Sequence, residues 1–141
     1  MDNRTIEPIH CAPYRFIDEI VRYDKGTGIT CKTTIRGDEP YFEGHFPGHP
    51  IVPGVFELEM LFQAAEQFLV MEGTAGGDGA VRLASVASAR FTNPIVPPRD
   101  LLVTADLKAR SGSELLFSGR VADGPDTFVQ ASFSVTVLEK L

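Results

Sequence analysis

Four residues suited to handling a carbonyl compound fall close together in the stretch GHFPGHPIVPGVFELEMLFQ, residues 44–63: His45, Gly54, Glu59 and Gln63. A neutral imidazole accepts a proton near neutral pH. A carboxyl group such as that of Glu59 gives one to a leaving oxygen. The N–H groups that open a helix have no internal partner and sit at the positive end of its dipole, so they can take the charge that develops on a carbonyl oxygen. A glycine at that point, Gly54, lets the ligand come close to the backbone. Base, acid and oxyanion donor together suit removal of a proton α to a carbonyl. Gln63 stands one turn after Glu59 on the same face, where it can orient the carboxyl. A lone histidine in a loop is ordinarily a surface residue, but Pro47, Pro50 and Pro53 stiffen the path from His45 to the helix start.

These residues need a helix and a frame to hold it. Residues from Val55 to about Glu72 contain no breaker and end at Gly73, a favourable residue just past a helix C-terminus. Leu, Met, Phe and Ala surround most of the circumference, so a buried helix is expected. Glu59, Gln63, Glu66 and Gln67 follow i, i+4, i+7, i+8 spacing and make one polar stripe, with Glu66 and Gln67 expected to be a solvated face. Strands are expected at Tyr14–Tyr23, Thr27–Arg36, Val81–Phe91, Leu101–Arg110, Glu114–Asp123 and Thr127–Leu138, with residues 73–80 as a flexible loop. The short turn signals SGS and GPD make the last three an antiparallel meander. One apolar helix with about six antiparallel strands gives an α+β sheet wrapped around that helix. One helix does not cover the whole sheet, so its remaining surface and edges are expected to meet a second copy.

The bulk properties set the outer bounds. The chain has 141 residues, 43% hydrophobic and 23% charged, as expected of one globular domain over residues 1–141. A net charge of −6 argues against nucleic-acid binding. No apolar run reaches the length of a membrane span, and no signal-peptide core opens the chain, which points to a cytoplasmic protein. Cys11 and Cys31 form no metal or redox motif and are expected to be buried or idle thiols.

The stretch 44–63 resembles the motif GHFPxxPxxPGVLxxEAxxQ of the β-hydroxyacyl-[acyl carrier protein] dehydratases of fatty acid synthesis, with His45, Gly54, Glu59 and Gln63 in register and no gap. HCAPYRFIDEI, residues 10–20, is similar to that family's HRYPFLLVDRV segment, and RFTNPIVPPRD, residues 90–100, to its RFxxPVxPGD segment. The resemblance covers the chain from about residue 8 to the end. It implies the hot-dog fold and dehydration of a (3R)-hydroxyacyl thioester to the trans-2-enoyl thioester. It also implies His45 as the base and acid at C2, Glu59 as the acid at the β-hydroxyl, and Gln63 as the residue that orients Glu59. The N–H of Gly54, with Val55 beside it, would polarise the thioester carbonyl. Phe62, Phe46 and Phe91 are the candidates for lining an acyl tunnel. The reaction would need no metal and no organic cofactor. The substrate would arrive on an acyl carrier protein, and each site would draw its His and its Glu from different protomers of a homodimer. Assembly beyond the dimer, as a trimer of dimers or with a related subunit, stays open.

Several positions depart from the family pattern. EMLFQ replaces a run of small residues between the Glu and the Gln, so Phe62 either reshapes the tunnel or fills core. Glu57 stands where the family is apolar and is expected as a local cap or an interface contact. Thr92 and Asn93 replace cations that in the family help dock the carrier protein, leaving Arg82, Arg90 and Arg99 as substitutes, and Pro98-Arg99 replaces a single Gly. These changes point to a divergent member in a specialised acyl or polyene pathway. His49 is expected to be exposed and His10 not to be catalytic. The family's isomerising branch carries Asp where Glu59 stands, so isomerisation is not expected. The competing readings are a hot-dog thioesterase, which would hydrolyse acyl thioesters without needing His45, and a non-catalytic acyl-binding partner subunit.

Overall fold

The computed structural model describes residues 14–44, 48–74 and 81–138. Six strands and one long helix follow the chain as β1 (Glu19–Asp24), β2 (Gly28–Ile35), α1 (Gly54–Met71), β3 (Val81–Phe91), β4 (Arg99–Ser111), β5 (Glu114–Asp123) and β6 (Asp126–Val137), with a short 3-10 turn at Pro40–Gly44 before α1. The strands form one sheet in the order β1-β2-β4-β5-β6-β3, and every neighbouring pair is antiparallel. No described helix is long and apolar enough to cross a membrane.

The period of two along the strands decides which face receives the helix. Ile29, Cys31 and Ile35 of β2, Leu101, Val103 and Ala105 of β4, Leu115, Phe117 and Val121 of β5, and Val129, Phe133 and Val135 of β6 are all buried on that face. From α1, Met60, Leu61, Ala64, Ala65, Phe68 and Leu69 meet them. The contact is close. A Cβ added to Gly119 would stand 2.9 Å from a Leu61 methyl and 3.1 Å from the Phe133 ring. Phe68, Phe117 and Phe133 continue the core as a run of rings, with centroids 5.9 and 5.7 Å apart.

The ends of the elements follow local chemistry. Gly73, at φ +76°, and Thr74 close the helix by donating their N–H groups to the carbonyls of Val70 and Leu69, which satisfies the last turn. The Glu72 carboxylate accepts from the Gly26 N–H at 2.7 Å and from the Tyr23 hydroxyl, tying the helix C-terminus to the β1–β2 turn. Two-residue turns join β4 to β5 and β5 to β6, each with a glycine of positive φ, Gly112 and Gly124, in keeping with the right-handed twist of the strands. The meander expected of these three strands is present.

The first strand is shorter than the expected Tyr14–Tyr23 and begins at Glu19. The backbone of Tyr14 and Phe16 is bonded to a helix side chain rather than to a neighbouring strand. The sheet also ends unevenly. In β3 only Val81 is buried, while Leu83, Val86 and Phe91 are 37%, 39% and 48% exposed. Their partners Val135, Phe133 and Val129 face the core, so these three belong to the inner face, where α1 leaves them partly uncovered, Phe91 meeting only the start of the helix at Gly54.

Candidate active site

The site is built at the start of α1. The lead-in Ile51–Pro53 is anchored by the Val52 N–H, which donates to the Ile95 carbonyl at 3.0 Å. Pro53 stands at the N-cap with no side-chain hydrogen bond to the first turn. The N–H groups of Phe56 and Glu57 reach back to the Pro53 carbonyl at 2.9 and 3.4 Å. Those of Gly54 and Val55 come before the first helical bond and point out of the helix end. Val55 is 68% exposed. Phe91 lies against Gly54, where an added Cβ would come within 3.2 Å of its ring. The glycine therefore keeps the helix start bare on one side and packed against an aromatic ring on the other.

Glu59 is half-buried, and Gln63 Nε2 donates to its Oε2 at 2.9 Å. Gln63 itself is buried, and the backbone fixes its orientation. Its Oε1 accepts from the Phe16 N–H at 2.9 Å, and its Nε2 donates to the Tyr14 carbonyl at 2.8 Å. A donor on one side and an acceptor on the other leave the amide no alternative flip, so its second N–H has to face Glu59. The same contact seats Tyr14, Phe16, Tyr41 and Phe56 as an aromatic cluster, with Phe56 centroids 5.4 Å from Phe16 and 4.8 Å from Tyr41. This clamp was missed in the sequence. Its available signal was the adjacent apolar pair Phe16-Ile17, both buried, which breaks strand alternation.

Glu57, two positions earlier, is 4% exposed, and its Oε1 has no hydrogen-bond partner. Burial pushes its carboxyl up to about 8. Of its two expected roles, the local cap is not made, since the buried Oε1 has no hydrogen-bond partner, and an interface contact concerns a second copy. The expected solvated face at Glu66 and Gln67 is also corrected. They are 2% and 4% exposed, and each already has an interaction partner. Helical spacing placed them on the Glu59 face, but that face is covered in the fold and does not meet water.

His45 and Phe46 lie outside the described residues, as do His10 and Cys11. Gly54 and Val55 open α1 with Phe91 beside Gly54, Glu59 follows in the second turn, and Gln63, one turn later, is bonded to Glu59. Phe62 is 8% exposed and belongs to the core cluster. His49 is exposed. Cys31 is fully buried, and burial pushes its thiol up to about 12, which makes it inert. Arg99 is engaged within the fold, 3.2 Å from Asp123 and 3.9 Å from Asp126, with its guanidinium 5.0 Å above the Phe128 ring. Arg82 and Arg90 are exposed on β3.

An antiparallel six-stranded sheet wrapped around one central helix is the hot-dog fold. The family described as ApeI dehydratase matches residues 21–131. The 3-hydroxyacyl-[acyl-carrier-protein] dehydratase FabZ of Thermus thermophilus is 37% identical over 111 residues, covering 77% of this chain and 78% of that protein. The FabZ of Albidiferax ferrireducens is 30% identical, covering 91% and 87%. In fold, the dehydratase heterocomplex ApeI:P of Xenorhabdus doucetiae superposes with a TM-score of 0.75 at 18% identity, over 96% of this chain and 90% of that one. The Escherichia coli PaaI protein of the phenylacetic acid degradation operon superposes at 0.65 and 13% identity, over 87% and 80%. The chain belongs to the ApeI-like family of hot-dog dehydratases and is a lyase.

Proposed function

We propose that the protein dehydrates (3R)-3-hydroxyacyl thioesters, carried on an acyl carrier protein, to trans-2-enoyl thioesters in fatty acid synthesis or a related specialised acyl pathway. The observation that carries this reading is the Glu59 carboxyl, held at the helix start by an amide that the backbone permits only one orientation. Gln63 donates to Oε2, which leaves Oε1 to carry the proton that departs with the β-hydroxyl. The Gly54 and Val55 N–H groups take the thioester carbonyl and the enolate charge that develops on it. His45, by its place in the motif, removes the C2 proton. The C2–H and C3–O bonds break, the C2–C3 double bond forms, and water leaves with one proton from Glu59.

A second copy is part of this proposal. The uncovered inner-face residues Leu83, Val86 and Phe91 sit on an edge strand of eleven residues. An apolar edge of that length is ordinarily paired or covered. A homodimer joined there would supply the His of one protomer to the Glu of the other.

Purified protein incubated with a 3-hydroxyacyl thioester is expected to produce the enoyl absorbance without release of free thiol. Thiol release without enoyl product would instead support a thioesterase. Co-purified His45→Ala and Glu59→Gln chains, each inactive alone, should regain about a quarter of wild-type activity if sites are shared across a two-fold axis.

A further inference from the structure

The face of the sheet turned away from α1 carries a groove of about 800 Å³, crossed by β3, β6, β5 and β4. Leu61 rests against the other side of Gly119 in its floor, so the sheet separates this groove from the helix. The lining follows from register, because residues directly opposite in antiparallel strands share a face. One row across the groove reads Arg90, Gln130, Arg120 and Thr104. The next row reads Ser88, Ser132, Ser118 and Asp106. Neighbouring strands stand about 4.8 Å apart, which puts the two arginine backbones about 10 Å from each other on either side of Gln130.

Arg22, Arg36 and Arg99 each have a carboxylate beside them, at 2.9, 3.2 and 3.2 Å. Arg90 and Arg120 are exposed, and neither has an ion-pair or hydrogen-bond partner among the described residues. The groove holds one carboxylate, Asp106, against these two cations, although the chain as a whole carries −6. Between the guanidiniums stand the Gln130 amide and, one row on, the hydroxyls of Ser88, Ser118 and Ser132. So many donors exceed what the two oxygens of a carboxylate can accept, and they suit a tetrahedral dianion with more acceptor oxygens. The volume is that of a small-molecule site. We propose that the groove binds a small-molecule phosphate monoester, its phosphate held between Arg90 and Arg120 above Gln130. The occupant lies across the sheet from Leu61 and α1 and is distinct from the acyl substrate.

The test is calorimetric titration of the full chain with three probes that differ only in the head group: phenyl phosphate, phenyl sulfate and benzoate. At about pH 7.5 the phosphate monoester carries close to two negative charges, and the other two carry one. Phenyl phosphate is expected to bind about ten-fold tighter than phenyl sulfate and tighter still than benzoate, with an affinity that weakens as salt rises. Arg90→Gln and Arg120→Gln should each weaken phenyl phosphate about ten-fold or more. Both positions are exposed, so the melting temperature should stay unchanged and loss of binding would not reflect loss of folding. Arg82→Gln, an exposed arginine of β3 outside the groove, should leave the affinity as it was. Three results would overturn the proposal: no saturable binding of phenyl phosphate, equal affinity for the phosphate and the sulfate, or an Arg82→Gln loss equal to that at Arg90 and Arg120, which would mark a general charge effect. None of these readouts uses the dehydration reaction, so the outcome stands apart from the function proposed for Glu59.

Discussion

On the flank of α1 that carries Glu59, every polar group has a partner: the carboxylate has Gln63, and Gln63 has the backbone of Tyr14 and Phe16. On the opposite flank Glu57 is buried deeper, and its Oε1 has no partner. The two acids are separated by one residue, yet only the partnered one has the directed hydrogen bond and the access to solvent that proton transfer to a substrate requires. Glu57 shows what burial alone does to a carboxyl group: it is driven toward its neutral form and lowers stability whenever it must ionise. Proximity to the helix start is therefore insufficient to prepare a glutamate for proton transfer; the clamp around Gln63 is what sets Glu59 apart from Glu57.

The comparison can be broken most forcefully at Glu59. Glu59→Gln keeps the size and the hydrogen bond but cannot release a proton, and kcat/KM should fall by about 10³-fold with an unchanged melting temperature. A fall of less than ten-fold would remove Glu59 from the chemistry. Gln63→Leu comes next. It frees Glu59 and leaves a buried N–H and C=O unpaired, so a loss of about 2 kcal/mol in denaturant unfolding should accompany a roughly ten- to hundred-fold drop in kcat. If stability falls and kcat does not, the clamp is structural only.

On the other flank the prediction concerns pH. The Glu57 carboxyl is raised from 4.5 to about 8 in the fold, so the folded state holds a proton that the unfolded chain releases. This group's contribution is fully present below about 4.5 and is lost as pH rises toward about 8, on the order of 1–2 kcal/mol after allowance for water near the carboxyl. Urea midpoints of Glu57→Gln relative to wild type should therefore diverge with rising pH, and parallel curves would show that Glu57 already ionises freely. The smallest effect is expected at Arg99. Its ion pairs are partly exposed, so Arg99→Ala should cost about 0.5 kcal/mol and leave KM for carrier-bound substrate unchanged. A clear rise in KM would return Arg99 to the docking surface.

Much of this was legible in the sequence. The breaker-free run after Pro53 and the C-terminal Gly73 marked α1, and the glycine turns marked the β4–β5–β6 meander. The spacing of Glu59 and Gln63 placed them one turn apart, where they bond. The failures share a cause. Helical angles told which residues share a face with Glu59 but not what covers that face, so Glu66 and Gln67 were expected in water. The strand expected from Tyr14 was shortened because Gln63, 47 positions from Phe16 along the chain, takes the backbone groups that a strand would have used. The placement of β3 beside β6 likewise depends on contacts that no local pattern encodes.

Gly119 sets a dimension that the rest of the molecule inherits. With Leu61 resting where a side chain would otherwise begin, α1 lies about as low over the sheet as a backbone permits. The helix works like a bar seated on a machined stop, its height fixed at one point midway along. Any residue larger than glycine at that stop would jack up the bar, lifting Gly54 from Phe91 and Gln63, with its hold on Glu59, from the Tyr14–Phe16 clamp. Adaptation to new substrates is then confined to exchanging side chains along the bar, and the vertical setting is closed to variation.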